Sequence, residues 1–179
     1  MEQMSLFDED EIFIVVDLET TGLNPFEGNE IIEIGVTEIK NNVIGKSYSR
    51  FVKPKVEIPP FITNLTGISN EMLKNEDSIE EVLPRFRKYI GNKTVIAHNA
   101  KFDMKFLNYY LKKLGIEEIK DYICTLELLK KVSTYKAKNK KLATACEYYG
   151  IENKNAHRAS SDTLATAKLF LKIRDKVDK

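Results

Sequence analysis

Apolar residues in this chain follow two rhythms, and the change from one to the other divides it. Ile12 to Glu19 reads I-F-I-V-V-D-L-E, a nearly continuous β-branched run closed by Thr20-Thr21-Gly22 and Asn24-Pro25. A run of that kind, bounded by turn residues, predicts a buried strand. Glu30 to Lys40 and Val43 to Lys53 predict two more, with Asn41-Asn42 as a tight reversal between them. Three strands on short connections imply an antiparallel meander. After Pro54 the period lengthens. Pro59-Pro60 opens a short helical segment that runs to Gly67, and Asp77-Ser78 precedes an amphipathic stretch from Ile79 to Ile90 that stops at Gly91. Thr94 to Ala97 reads as a short buried strand, Lys101 to Leu114 as a strong helix closed by Gly115, and Tyr122 to Cys124 as a further strand. Helices are expected over Leu126 to Val132, Lys141 to Tyr149 and Ser160 to Val177. A meander followed by strands alternating with helices predicts an α/β fold, a mixed five-stranded sheet with helices on both faces. Residues 1–10 are expected to form a tail and residues 11–179 one continuous domain.

Composition narrows the class without changing that picture. The chain has 179 residues, 42% hydrophobic and 31% charged, with 8 Gly and 5 Pro, the balance of a folded globular protein. The first apolar stretch, Ile12 to Val16, is too short to cross a bilayer, and the segment before it is acidic where a secretory signal is basic. A cytoplasmic protein is expected. Cys124 and Cys146 stand far apart with no C-x-x-C partner, so buried thiols are expected and not a zinc or disulfide framework. The formal net charge of +1 hides a polarity. Residues 1–40 carry 11 acidic and 1 basic side chain, whereas residues 101–141 carry 11 basic and 5 acidic. Such a split suits a cation site and a polyanion path built from different parts of one fold, and it equally suits a surface charged for solubility.

Side chains alternate along a strand, so Phe13, Val15, Asp17 and Glu19 share a face, with the two acids about 7 Å apart at roughly 3.3 Å per residue. Two like charges at the end of an apolar strand are costly unless a cation lies between them, and hard divalent ions such as Mg²⁺ or Mn²⁺ suit oxygen ligands. A solvent-exposed strand end with a hydrated pair is the plain alternative. Asp103 falls in the first turn of the Lys101 to Leu114 helix, in register with Leu107, Tyr110 and Leu114, so an acid stands where a core residue is expected. Favourable interaction with the helix N-terminus would also account for it. His157 and Asp162 cannot share one face of a straight helix, because five positions turn about 500°. His157 is therefore expected on the approach to the last helix, with Ser160 or Ser161 as its cap and Asp162 in its first turn. An imidazole with an ordinary pKa near 6.5 suits a general base.

Asp17-x-Glu19-Thr20-Thr21-Gly22, His98-Asn99-Ala100-x-Phe102-Asp103 and His157-Arg158-Ala159-x-x-Asp162 together resemble the three motifs of the DEDD exonucleases, in the branch whose third motif carries histidine. Within that branch the chain is similar to the proofreading exonucleases of bacterial DNA polymerase III. The resemblance implies a ribonuclease H-like fold and 3′ to 5′ hydrolysis of nucleic acid to 5′-mononucleotides with two divalent metal ions, Mg²⁺ or Mn²⁺. Asp17 would bridge both ions, Glu19, Asp103 and Asp162 would complete their shells, and His157 would take the proton from water. Thr20, Thr21, Gly22 and Leu23 would seat the terminal nucleotide, while His98, Asn99 and Phe102 shape the wall beside it. Leu65 and Thr66, in the family-like block Phe61 to Ile68, are expected to wedge against the last bases and touch the strand.

Two further segments suggest partners. Lys130, Lys131, Lys136, Lys138, Lys140 and Lys141 lie in a stretch without an acid, which would track a phosphate backbone, with Tyr135 able to stack on a base. Gln3-Met4-Ser5-Leu6-Phe7 resembles the peptide by which bacterial replication proteins dock on the sliding clamp, Leu6 and Phe7 filling an apolar pocket. Single-stranded DNA 3′ ends, a sliding clamp and a DNA polymerase subunit are thus the expected partners. Similar subunits often carry a further C-terminal segment that binds the polymerase; this sequence ends at Lys179, shortly after its last predicted helix, so attachment to a polymerase is left open. An RNA-trimming exoribonuclease of the same superfamily remains open, since the metal motifs do not report the sugar. An inactive clamp- or nucleic-acid-binding module that kept the fold is the other alternative.

Overall fold

A computed structural model describes residues 11–177. The expected tail, with Gln3, Met4, Ser5, Leu6 and Phe7, lies outside the described residues. The elements run β1 (Ile12–Thr20), β2 (Ile31–Lys40), β3 (Val43–Phe51), α1 (Pro60–Thr66), α2 (Asn70–Leu73), α3 (Ile79–Ile90), β4 (Thr94–Ala97), α4 (Ala100–Lys113), β5 (Tyr122–Cys124), α5 (Thr125–Lys130), α6 (Leu142–Tyr149) and α7 (Ala159–Ile173). Five strands form one sheet in the order β3-β2-β1-β4-β5. β1 pairs antiparallel with β2 and parallel with β4, and β4 runs parallel to β5. The mixed sheet follows from the connections: Asn41 and Asn42 turn β2 into β3 with φ of 49° and 64°, the left-handed pair of a type I′ hairpin that asparagine tolerates. The parallel strands are joined instead through helices.

β1 is central, so both of its faces are covered. Ile14, Val16 and Leu18 pack with Val82, Leu83 and Phe86 of α3 and Phe106, Leu107 and Leu111 of α4. Phe13 and Val15 face Ala167 and Phe170 of α7, with the Phe13 and Phe170 rings edge to face at 5.2 Å. A third cluster joins Leu129, Ala145, Cys146 and Leu169 beneath α6. The alternation along β1 therefore sends Asp17 and Glu19 toward α7, because they share the parity of Phe13 and Val15. Both cysteines are free thiols; Cys146 is buried, which pushes it up to about 11, and Cys124 is half-buried.

Several boundaries differ from those the sequence predicts. α2 and a short 3₁₀ turn over Pro25–Glu27 have no hydrophobic period long enough to announce them. β3 ends at Phe51, and Lys53 instead bridges to Ser78. The last helix begins at Ala159 and gives way to a 3₁₀ turn at Arg174. Neither Ser160 nor Ser161 caps it: Arg158 holds the cap position without a side-chain cap bond, and the Ser161 hydroxyl donates to Asn153 Oδ1 at 2.7 Å. Tyr135 is a second correction. It is 7% exposed, with its ring 4.8 Å from that of Tyr148 and its hydroxyl donating to the Asn139 carbonyl, so core packing occupies the face a base would need. Among the described residues no helix is long and apolar enough to cross a membrane.

Candidate active site

At the C-terminal end of β1 the acids converge. One potential ligand atom each from Asp17, Glu19 and Asp162 lies within 4.8 Å of the others. Asp162 arrives from the far end of the chain because β2 gives way to it. Gly35 is the cross-strand partner of Asp17, and a Cβ built on it would stand 2.3 Å from the carbonyl carbon of Ala159. With no side chain there, the first turn of α7 lies directly on the sheet. Asn153 donates through its side-chain amide to Asp162 Oδ1, and the His157 N–H donates to Oδ2 at 2.9 Å, so the carboxylate is aimed as well as delivered.

Asp103 comes from the other layer. The pairing of β4 with β1 ends at Val15–Ile96, and past that point the Leu18 N–H donates to Asp103 Oδ1 at 3.2 Å. Asn99, at φ 60°, turns the chain from β4 straight into α4 and sets Asp103 in its first turn. The side chain is 2% exposed, so it is an internal acid and not a surface complement to the helix dipole.

The electrostatics are those of crowded anions in a poor solvent. Burial raises Asp17 well above the carboxylate range, and repulsion from Asp103, Glu19, Asp162 and Glu33 adds to it. Glu19 is pushed up to about 8 by burial and then by Asp162, Glu33 and Asp103, with Arg158 offsetting part. Asp103 is also pushed to about 8 by burial, against the pull of backbone hydrogen bonds. Burial raises Asp162, while the bonds from Asn153 and His157 lower it. Oxygen donors held together against their own repulsion fit a divalent cation, and they fit a hard one. These four carboxylates are the residues that would hold it.

His157 lies on the turn before α7, exposed, at φ 65°. The other residues singled out from sequence divide into two groups. Leu23 is 77% exposed and Leu65 51%, both open to a ligand. The Thr20 hydroxyl donates to the Gly22 carbonyl at 2.6 Å and the Thr21 hydroxyl accepts from the Glu30 N–H, so these two threonines shape the turn that presents Leu23. At Gly22 a Cβ would meet the Asn29 side-chain amide at 2.5 Å, so a larger residue there would have to displace that amide. Thr66 is buried and closes α1, its hydroxyl donating to the Ile62 carbonyl and accepting from the Ile68 N–H. His98 ties loops together, Nδ1 to Thr125 Oγ1 at 2.8 Å and Nε2 to the Lys140 carbonyl at 2.9 Å, and burial lowers its pKa. Asn99 is exposed, and Phe102 packs on Phe106 at 5.1 Å.

Sequence reasoning missed a supporting pair. Glu33, fully buried on β2 opposite Glu19, receives both Arg158 Nε at 3.3 Å and Nη2 at 3.2 Å, together with the Ala159 N–H at 3.2 Å. The signal was present: an acid among Ile31, Ile32 and Ile34 is as anomalous as Asp103 among its leucines. Asn153 gave no signal in its loop.

With this geometry in place, kinship can be read on the same residues. The family described as Exonuclease, of RNase T type, matches residues 14–170. A DNA polymerase III PolC-type protein of Caldanaerobacter subterraneus subsp. tengcongensis is 42% identical over 165 residues, covering 92% of this chain but 12% of the relative, so this chain spans a small part of that protein. DNA polymerase III subunit epsilon of Aquifex aeolicus is 37% identical over 165 residues, covering 92% of this chain and 81% of the relative. In structure, the nuclease domain of 3′hExo, a DEDDh family member bound to rAMP, superposes with a TM-score of 0.80 at 18% identity over 96% of this chain and 98% of that one, which establishes a common ribonuclease H-like fold. Divalent metal use goes with that family, and the carboxylate cluster accords with it. By sequence, by fold and by the acids it gathers, the chain belongs to the DEDD exonucleases, in the histidine branch and close to the exonucleases of bacterial DNA polymerase III.

Proposed function

We propose that this chain is a 3′ to 5′ exonuclease that removes 5′-mononucleotides from single-stranded or frayed DNA ends, in replication proofreading or repair in the cytoplasm. The observation that carries the reading is the convergence of Asp17, Glu19 and Asp162, with Asp103 beside them, at the end of one strand. Asp17, Glu19, Asp103 and Asp162 would hold two divalent ions, Mg²⁺ or Mn²⁺. When bound, such ions supply Lewis acidity for activating water and for stabilising the charge on phosphate oxygens during in-line displacement.

The chain's own groups do the rest. Leu23 and Leu65 give the terminal base apolar surface, the turn from Thr20 to Gly22 fixes Leu23, and Asn99 and Phe102 form the wall at the start of α4. His157 accepts the proton of the attacking water. The water oxygen bonds to phosphorus as the bond to the 3′ oxygen breaks; that oxygen leaves with a proton from solvent, and a 5′-mononucleotide is released. Exposure of His157 suits this part, because the imidazole must pass its proton on before the next cycle.

The DNA polymerase III relatives support DNA over RNA and a polymerase as partner, and residues 3–7 support a sliding clamp. The test is release of 5′-mononucleotides from 3′-labelled single-stranded DNA and a matched RNA, with and without chelator. DNA hydrolysis abolished by chelator and lowered about 10³-fold by Asp17→Asn is the expected result. Preference for the RNA would reassign the substrate. Full activity of Asp17→Asn would defeat the mechanism. Deleting residues 3–7 is expected to remove binding to a purified clamp and leave hydrolysis of free oligonucleotides intact.

A further inference from the structure

The outer face of α4 carries an anion-seeking surface that the carboxylate chemistry does not use. Lys101, Lys105 and Lys112 recur at i, i+4 and i+11 and so share one side of the helix, with Lys113 next to them. All four are exposed, and none of the four makes an ion pair among the described residues. They line an open groove of about 590 Å³ that Phe26 and Tyr122 also line. Phe26 is 71% exposed and Tyr122 40%, so both rings are open to a ligand. Tyr109 supports Phe26 edge to face at 5.0 Å, and one acid, Glu118, shares the lining. The groove also adjoins the site: Lys105 Nζ donates to the Leu23 carbonyl at 2.7 Å, on the turn that follows Asp17 and Glu19.

We propose that this groove binds single-stranded nucleic acid, taking the stretch of strand behind the terminal nucleotide. The proposal rests on the exonuclease reading above and adds the path by which substrate is held. Ammonium groups in a row track phosphates, and exposed rings stack on bases, which only an unpaired strand presents. A duplex would meet the lysines and leave Phe26 and Tyr122 without partners. From Lys101 to Lys113 the helix rises about 18 Å at about 1.5 Å per residue. That is room for about five stacked nucleotides at about 3.4 Å each. The lysine run from 130 to 141 offers charge alone, since its one ring, Tyr135, is buried.

Binding by the full chain is measured in chelator by fluorescence anisotropy over a salt series, with an oligothymidylate of about 12 nucleotides and a hairpin duplex of matched charge. Lys101→Ser, Lys112→Ser and Lys113→Ser together are expected to weaken the single strand about tenfold and to reduce its log–log salt slope by about 2, at about 0.7 for each phosphate no longer neutralised. Phe26→Ala with Tyr122→Ala is expected to weaken the single strand at unchanged slope, and to leave the duplex within about threefold. An unchanged slope and affinity in the lysine variant overturns the proposal. So does an aromatic variant that binds the single strand normally, or one that weakens duplex as much as single strand. Wild-type hydrolysis of the p-nitrophenyl ester of thymidine 5′-monophosphate, measured separately with metal, reports on the exonuclease reading alone, so failure there is distinguishable from failure of the groove.

Discussion

Gly35 has no side chain, and the backbone of Ala159 occupies the space one would need. Gly35→Ala therefore has to displace α7 and not merely a flexible side chain, at a cost of about 1–3 kcal/mol. Asp162 rides on the displaced turn, so the variant is expected to bind Mn²⁺ more weakly as well; denaturant titration and calorimetry read the two effects, and undiminished ion affinity would uncouple them. Glu33→Gln keeps the shape but leaves Arg158 without its carboxylate. Because the guanidinium is 37% exposed, the loss in stability is expected to be modest, about 1–2 kcal/mol by denaturant titration. The loss in hydrolysis rate should be larger, since Arg158 adjoins His157. Asp17, Glu19, Asp103 and Asp162, which the fold gathers, were legible in the sequence, the first three because each interrupts an apolar pattern. Glu33 interrupts one too, but its place opposite Glu19 is a matter of cross-strand register, which chain order does not carry.

Strands were the most readable elements. β1 lies where a β-branched run ends at turn residues, β4 and β5 keep the bounds the sequence predicts, and Asn41-Asn42 fixes the hairpin. Helices were harder at their starts. α7 begins without a side-chain cap because its first turn is held by Glu33, through Arg158 and the Ala159 N–H, and a tertiary cap leaves no local signature. The basic run between α5 and α6 was read as a ribbon with a stacking ring. Its hydrophobic member in fact anchors the segment, since Tyr135 packs on Tyr148 and Tyr149. Tyr135→Ala is accordingly expected to lower unfolding free energy by about 3–5 kcal/mol. Nucleic-acid affinity of the folded protein should change little by comparison; a selective loss of binding at undiminished thermal stability would restore the stacking role.

For the molecule as a whole, the clustered acids make stability depend on pH and on ions together. Glu19 and Asp103 ionise near 4.5 and 3.8 ordinarily and near 8 in the fold, so between those limits the folded chain holds more protons than the unfolded one. Their contribution thus falls as pH rises from about 4 through 8 in the absence of metal. A divalent cation competes with those protons. The rise in Tm on adding Mn²⁺ is expected to be small at about pH 5.5 and to grow toward pH 8.5; a rise independent of pH would mean that the ion binds elsewhere.

Arg174 fastens the start of the first strand to the end of the last helix, pairing with Glu11 and donating to Asn42 Oδ1 at 2.8 Å. Glu11 and Glu19 stand at opposite ends of β1, about 26 Å apart at roughly 3.3 Å per residue. Glu11 consequently marks the end of the sheet remote from the carboxylates. Anything seated against the Glu11 end would stand that far from the acids and leave their opening clear, so both places could be occupied at once.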